Sequence, residues 1–150
     1  MVKISTKIGI ETTSIKDTEL IKKIPDLKPA LRLFCKIKFP EMENPEDGLV
    51  DTGAHISLIP FQLWKNLNAE IVTEHTMKGV VPDRNIPVNV GYVKAKLIDK
   101  EGNESNEVKF LSYLAFTNKV PLILGMRDLL EKFNLHVLFS QNGAYIEEVI

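Results

Sequence analysis

The residues of this 150-residue chain whose order most plainly suggests chemistry are Asp51, Thr52, Gly53 and Ala54. They follow the aliphatic pair Leu49-Val50 and run straight into a second apolar stretch, His55 to Pro60, "HISLIP". Burying a lone carboxylate costs several kcal/mol, so Asp51 either stands on a turn that reaches water or has a partner for its charge. An Asp-Thr-Gly turn taken alone usually does something bland: its carboxylate accepts a hydrogen bond from its own backbone. Other candidates are thinner. Cys35 is the sole cysteine, which excludes an internal disulfide and a cysteine zinc cluster. His75 and His136 are far apart with no ligand spacing, so neither a metal nor a cofactor is expected.

Positioning Asp51 falls to short strands. "LRLFCKIKF" (31–39) alternates, with Leu31, Leu33, Cys35, Ile37 and Phe39 on one face and Arg32, Lys36 and Lys38 on the other, which predicts a half-exposed strand. "PEMENPEDG" (40–48) has the composition of a loop. "PFQLWKNLN" opens with a proline suited to a first helical turn and predicts a short helix, with Phe61 and Trp64 as its core contacts. "EIVTEHTMKGVV" and "IPVNVGYVKAKLID" flank the turn "PDRN" and predict a long hairpin. "NEVKFLSYLAF" predicts another strand, and the uninterrupted apolar run "VPLILG" one buried on both faces. "MRDLLEKF" predicts about two turns of helix. "LHVLFSQNGAYIEEVI" predicts a hairpin bending at Asn142-Gly143. In the first thirty residues, "KISTKIGIE" suits a strand and "DTELIKKIP" one short helical turn ended by Pro25. The sum is a mostly β domain with two short helices.

A chain of this length fits one domain with its own core. Net charge of −1 creates no field that would recruit nucleic acid or an anionic membrane. The longest apolar runs are too short to cross a bilayer. Charges at Lys3, Lys7, Glu11, Asp17 and Glu19 interrupt any signal-peptide stretch, so a cytoplasmic location is expected.

Seventy-four positions separate Asp51 from Gly125, which closes Ile123-Leu124-Gly125 ahead of the segment expected to be helical. With Leu49-Val50-Asp51-Thr52-Gly53-Ala54, that strand end and the hairpin between them, the chain resembles the retropepsin-like aspartic proteases from about Leu31 onward. The resemblance implies a single-lobed acid-protease fold: a closed or partly open β-barrel with a flap hairpin and one or two short helices. It divides the chain into an N-terminal extension, 1–30, and a retropepsin-like domain, 31–150. It implies peptide-bond hydrolysis by two aspartates sharing one proton. Because the chain has one such motif and no room for a second lobe, the second carboxylate is expected from another copy, in a two-fold homodimer acting on a peptide or protein substrate.

The same resemblance assigns roles. Asp51, Thr52 and Gly53 are the expected catalytic turn, Thr52 placing its hydroxyl across the two-fold axis and Gly53 permitting a tight bend. Ala54 and His55 are expected beside the substrate backbone, and Gly79, Val80, Val81 and Pro82 in the flap. Leu124, Gly125, Arg127 and Asp128 are expected to support the turn from behind. Viral members often carry, in place of His55, an aspartate paired with an arginine, so either a His55–Asp128 pair substitutes for it or His55 faces solvent. The terminal "AYIEEVI" is either a strand exchanged across the dimer, as in viral members, or the last strand of its own hairpin. The flap is poor in glycine, which leaves a rival function open: a peptide- or protein-binding module with this fold and no turnover. A structural subunit braced by Asp51 is a further alternative.

Overall fold

The computed structural model describes residues 5–15, 18–27, 30–81 and 84–149. Ten strands form one sheet: β1 (Ser5–Ile15), β2 (Ala30–Lys38), β3 (Glu46–Val50), β4 (Ser57–Ile59), β5 (Glu70–Val81), β6 (Arg84–Ile98), β7 (Val108–Ala115), β8 (Ile123–Leu124), β9 (Asn134–Leu138) and β10 (Gly143–Val149). Two short helices, α1 (Thr18–Lys23) and α2 (Phe61–Trp64), interrupt them. The strand order is β5-β6-β7-β4-β8-β3-β2-β1-β10-β9. A further antiparallel pairing of β2 with β6, Lys36 opposite Ile98 and Lys38 opposite Lys96, bends the sheet back on itself into a partial ring.

Alternation in the sequence decides which faces point inward. Along β2, Cys35 and Ile37 are buried, with Phe39 just beyond the strand end, while Lys36 stays at the surface beside Asp47, 2.9 Å away. The core is continuous across the ring: Ile8, Ile37, Phe39, Ile59, Leu97, Phe110, Leu114, Leu124, Leu129 and Ile146 are all fully buried. Burial holds the Cys35 thiol protonated, its pKa pushed up to about 12, helped by the negative charges of Asp99, Asp47 and Glu11.

Three local expectations are corrected. First, β3 begins at Glu46, inside the stretch with loop composition, because Glu46 pairs with Ile37 and Asp47 with Lys36. Gly48 belongs in that strand: a Cβ there would lie 2.6 Å from Leu124 Cγ. Second, of the apolar run before Gly125 only Ile123 and Leu124 form a strand. Third, "MRDLLEKF" is not two turns of α-helix. Leu130 N–H donates to Gly125 O and Glu131 N–H to Met126 O, each bond spanning five residues instead of four. Asp128 takes a left-handed φ of 64°, which widens the turn. One 3-10 turn, Leu130–Lys132, follows.

The N-terminal strand is interior. β1 pairs with β10 from Ser5 to Ile10 and then with β2 from Glu11 to Ile15. The C-terminal strand also lies between two neighbours of its own chain, with β1 on one edge and β9 on the other. The exchange of this strand across a dimer, one of the two possibilities for "AYIEEVI", therefore has no open edge to use.

Candidate active site

β3 delivers Asp51 to the end of the sheet. Val50 is parallel to Leu124, and Asp51 N–H donates to Leu124 O at 3.1 Å, fixing where the strand stops. The chain then folds tightly: Gly53 N–H donates to Asp51 Oδ1 at 2.9 Å and Ala54 N–H to Asp51 O at 3.1 Å. A Cβ on Gly53 would sit 3.2 Å from Asp51 Oδ1, tighter than usual contact, so glycine suits the bend. Asp51 is half-buried, and Thr52 and Gly53 are exposed. No ion pair reaches Asp51 among the described residues. The question of a carboxylate amid strand residues thus has a local answer: the group stands on a turn that meets water.

Behind the turn lies a strap formed by residues 122–127. Leu49 N–H donates to Leu122 O, Met126 N–H to Ala54 O and Arg127 N–H to His55 O, each at 2.9 Å. Gly125 N–H donates to Ser57 Oγ at 2.9 Å in a fully buried bond. Gly125 is required by close approach, since a Cβ there would lie 2.7 Å from the Ile56 carbonyl carbon. Leu124 is fully buried beneath. The strap therefore holds both ends of the Asp51 loop, by backbone-to-backbone bonds with Leu49, Ala54 and His55 and by one bond to the Ser57 hydroxyl. Ser57 is a supporting residue that motif reasoning passed over. Its signal was present: one hydroxyl in the otherwise apolar "ISLI", whose burial demands a partner.

Leu124, Gly125 and Arg127 are thus brought against the turn, Arg127 through its backbone. Asp128 is turned away from it. Its Oδ2 accepts from Leu111 N–H at 3.2 Å and its own N–H donates to Glu131 Oε1 at 2.6 Å. Among the described residues no ion pair joins it to His55, which is exposed. Asp128 braces β7 instead, while the 126–127 backbone, not a side-chain pair, fixes the position of His55.

The hairpin of β5 and β6 pairs along its length to Val81 opposite Arg84, with a register shift between Met77 and Val81. Gly79, Val80 and Val81 fall in β5; Pro82, with Asp83, lies outside the described residues. Beneath the hairpin a second apolar cluster stands apart from the main core: Leu58, Val88, Ala115 and Val120, with Met77, Ile86, Tyr113 and Ile123 packed against it. Ile123 pairs with both Leu49 and Leu58, so this cluster adjoins the Asp51 turn. Trp64 anchors α2 nearby, donating its indole N–H to Ala115 O at 2.6 Å and meeting Phe61 and Phe116 edge-on at 5.6 Å. A separate cavity of 350 Å³, lined by Glu74, His75, Thr76, Pro87, Val88 and Phe116, lies on the hairpin and does not include Asp51. The remaining histidines are occupied elsewhere, His75 stacked on Tyr113 and His136 on Tyr145.

Neither a protein-family model nor a curated protein matches the sequence. Solved structures do match in shape. One is the crystal structure of a retropepsin-like aspartic protease from Rickettsia conorii, with a TM-score of 0.55 over 99% of this chain and 95% of that one, at 11% sequence identity. At that identity the likeness is one of fold. This mostly β chain, with its strapped Asp-Thr-Gly turn and long hairpin, has the fold of a retropepsin-like aspartic protease.

Proposed function

We propose that the chain is an aspartic endopeptidase, active as a homodimer in which the Asp51 carboxylates of two copies meet. The observation that carries this reading is the Asp51 turn itself. Its carboxylate stands at the water-reaching end of β3, and five backbone-anchored bonds from residues 122–127 hold the loop in place. The fold shared with a retropepsin-like aspartic protease supports the same reading.

The chemistry follows from placing two like charges together. About 4 Å apart at an effective dielectric near 20, they repel by roughly 4 kcal/mol. At about 1.36 kcal/mol per pKa unit, their ionisations separate by about three units. The pair therefore keeps one proton through a broad acid-to-neutral range. The ionised carboxylate takes a proton from a water molecule, whose oxygen bonds to the peptide carbonyl carbon, while the protonated carboxyl gives its proton to the carbonyl oxygen. When the tetrahedral gem-diol collapses, the carboxyl that holds the proton gives it to the amide nitrogen, the C–N bond breaks, and a gem-diol hydroxyl returns its proton to the other carboxylate as the product carboxyl forms, so the dyad again holds a single shared proton. The peptide lies extended under the hairpins, adding backbone bonds like another strand.

Asp51→Asn tests the proposal. Cleavage of a peptide library should fall by at least about 100-fold, the scale of a lost acid–base group. The wild-type rate should trace a bell in pH, because one proton too many or too few disables the pair. A wild-type dimer that cleaves no member of the library, or an Asp51→Asn variant of undiminished rate, would sink it.

A further inference from the structure

The hairpin of β5 and β6 has two faces, and only one of them adjoins the Asp51 turn. His75 lies opposite Val88 and Met77 opposite Ile86. Met77, Ile86 and Val88 belong to the apolar cluster beside the turn, and His75 stacks on Tyr113 of the same cluster. Side chains alternate along a strand, so Glu74 and Thr76 lie on the other face, with Pro87 across from Thr76. There they line the 350 Å³ cavity together with Phe116. The cavity therefore sits at the back of the hairpin.

Its lining has one fixed charge and no counter-charge. Among the described residues no ion pair reaches Glu74. Phe116 meets Trp64 edge-on and is still 51% exposed. A carboxylate beside an exposed aromatic ring and a proline suits a cation on a long apolar stem. The stem packs on the rings while the charge meets the carboxylate. The volume is at the small end for ligand pockets, room for one such side chain.

Beside the cavity runs an open sheet edge. β5 is the terminal strand of the sheet, pairs with β6 alone among the described strands, and is exposed at every position from Glu70 to Thr76. Ile71 is 46% exposed and Val72 57%. The free N–H and C=O groups of such an edge take up an extended segment as a further strand. We infer that the edge of β5 and the Glu74 cavity form one site, outside the cleft, for an extended segment of the protein substrate bearing a lysine or arginine. The assignment to substrate rests on the endopeptidase reading above; the cavity and its charge do not. A second copy of the chain fits this edge poorly. Antiparallel pairing of β5 with its own image sets Glu70 against Glu74 when centred on Val72, and Glu74 against itself when centred there.

Two probes test the site: a short threonine–valine peptide with a central lysine, and the same peptide with norleucine in that place. Each is titrated into the isotope-labelled Asp51→Asn chain and followed by nuclear magnetic resonance. The lysine peptide should shift the amides of Glu74, Thr76 and Phe116 and slow hydrogen exchange at alternate β5 amides. The norleucine peptide should bind about tenfold more weakly, having lost an ion pair and a cation–ring contact. Adding Glu74→Gln should weaken the lysine peptide about threefold, and Glu43→Gln, another exposed carboxylate, should not. In wild type, excess lysine peptide should raise the KM for reduced, alkylated lysozyme, a basic unfolded protein, and leave cleavage of short library peptides untouched. Equal affinity for the two peptides, undiminished binding to the Glu74→Gln variant, or shifts confined to the Asp51 turn overturn the inference. Binding as stated with lysozyme cleavage unaffected overturns the assignment to substrate. Binding as stated to a chain whose wild type cleaves nothing upholds the site and overturns the endopeptidase instead.

Discussion

Two serines lie side by side in the parallel pairing of β4 with β7, and their burial has opposite consequences. Ser57 Oγ accepts the Gly125 N–H at 2.9 Å inside the strap, whereas Ser112 Oγ is buried with no hydrogen-bond partner among the described residues. Ser57→Ala strands a buried donor and should cost about 1–3 kcal/mol. Ser112→Ala removes a buried unpaired hydroxyl and should leave stability unchanged or raise it. Urea titration of the two variants measures both, and equal losses would contradict this account. Cys35 gives a second check at this scale. It is 1% exposed and its thiol is pushed up to about 12, chiefly by burial. The native protein should therefore resist alkylation at pH 8 and react only once denaturant opens the core.

Among the elements, the strap over residues 122–127 does most to define the site, and it works through close backbone approach. Gly125→Ala would bring a methyl 2.7 Å from the Ile56 carbonyl carbon, a clash with backbone that cannot rotate away. It should cost about 1–3 kcal/mol, as overpacking does. Since that carbonyl lies in the loop beyond Asp51, cleavage should suffer beyond the loss of folded protein, which active-site titration of the soluble fraction would reveal. The turn after Gly125 shows why this region defied a helical expectation. Its apolar spacing suits a helix, but Met126 and Arg127 spend their N–H groups on Ala54 and His55, and Asp128 adopts a left-handed φ. Tertiary hydrogen bonds outweighed local propensity there.

For the molecule as a whole, the N-terminal strand ties the two parts of the sheet together. Where β1 passes from β10 to β2, Gly9 N–H donates to Asp99 Oδ2 at 2.9 Å, and the same carboxylate accepts from the backbone of Glu101 and Asn103 and the Asn103 side chain. Burial pushes the Asp99 carboxyl up, but the N–H groups of Gly9, Asn103 and Glu101 outweigh it, leaving the group below its ordinary value. A lowered folded-state pKa stabilises above the unfolded value, near about pH 4, and that support is lost as pH falls through the folded value. Asp99→Asn should therefore lower the urea midpoint at pH 7, with the gap to wild type closing at more acid pH. A gap that widened in acid would contradict the assignment.

Residue order alone specifies the alternation of β2, the long hairpin, the Asp-Thr-Gly turn and its apolar partner strand, because each is a pattern of adjacent residues with a local physical cause. It could not determine that β3 starts at Glu46, that Ser57 holds Gly125, or that Asp128 serves Leu111 and not His55. Those outcomes depend on which distant backbone groups arrive at hydrogen-bonding distance, 68 residues away in the case of Ser57 and Gly125. The C-terminal strand is the clearest instance. Its composition suits exchange with another copy and pairing at home equally, and only the arrival of β1 and β9 on its two edges decided the matter.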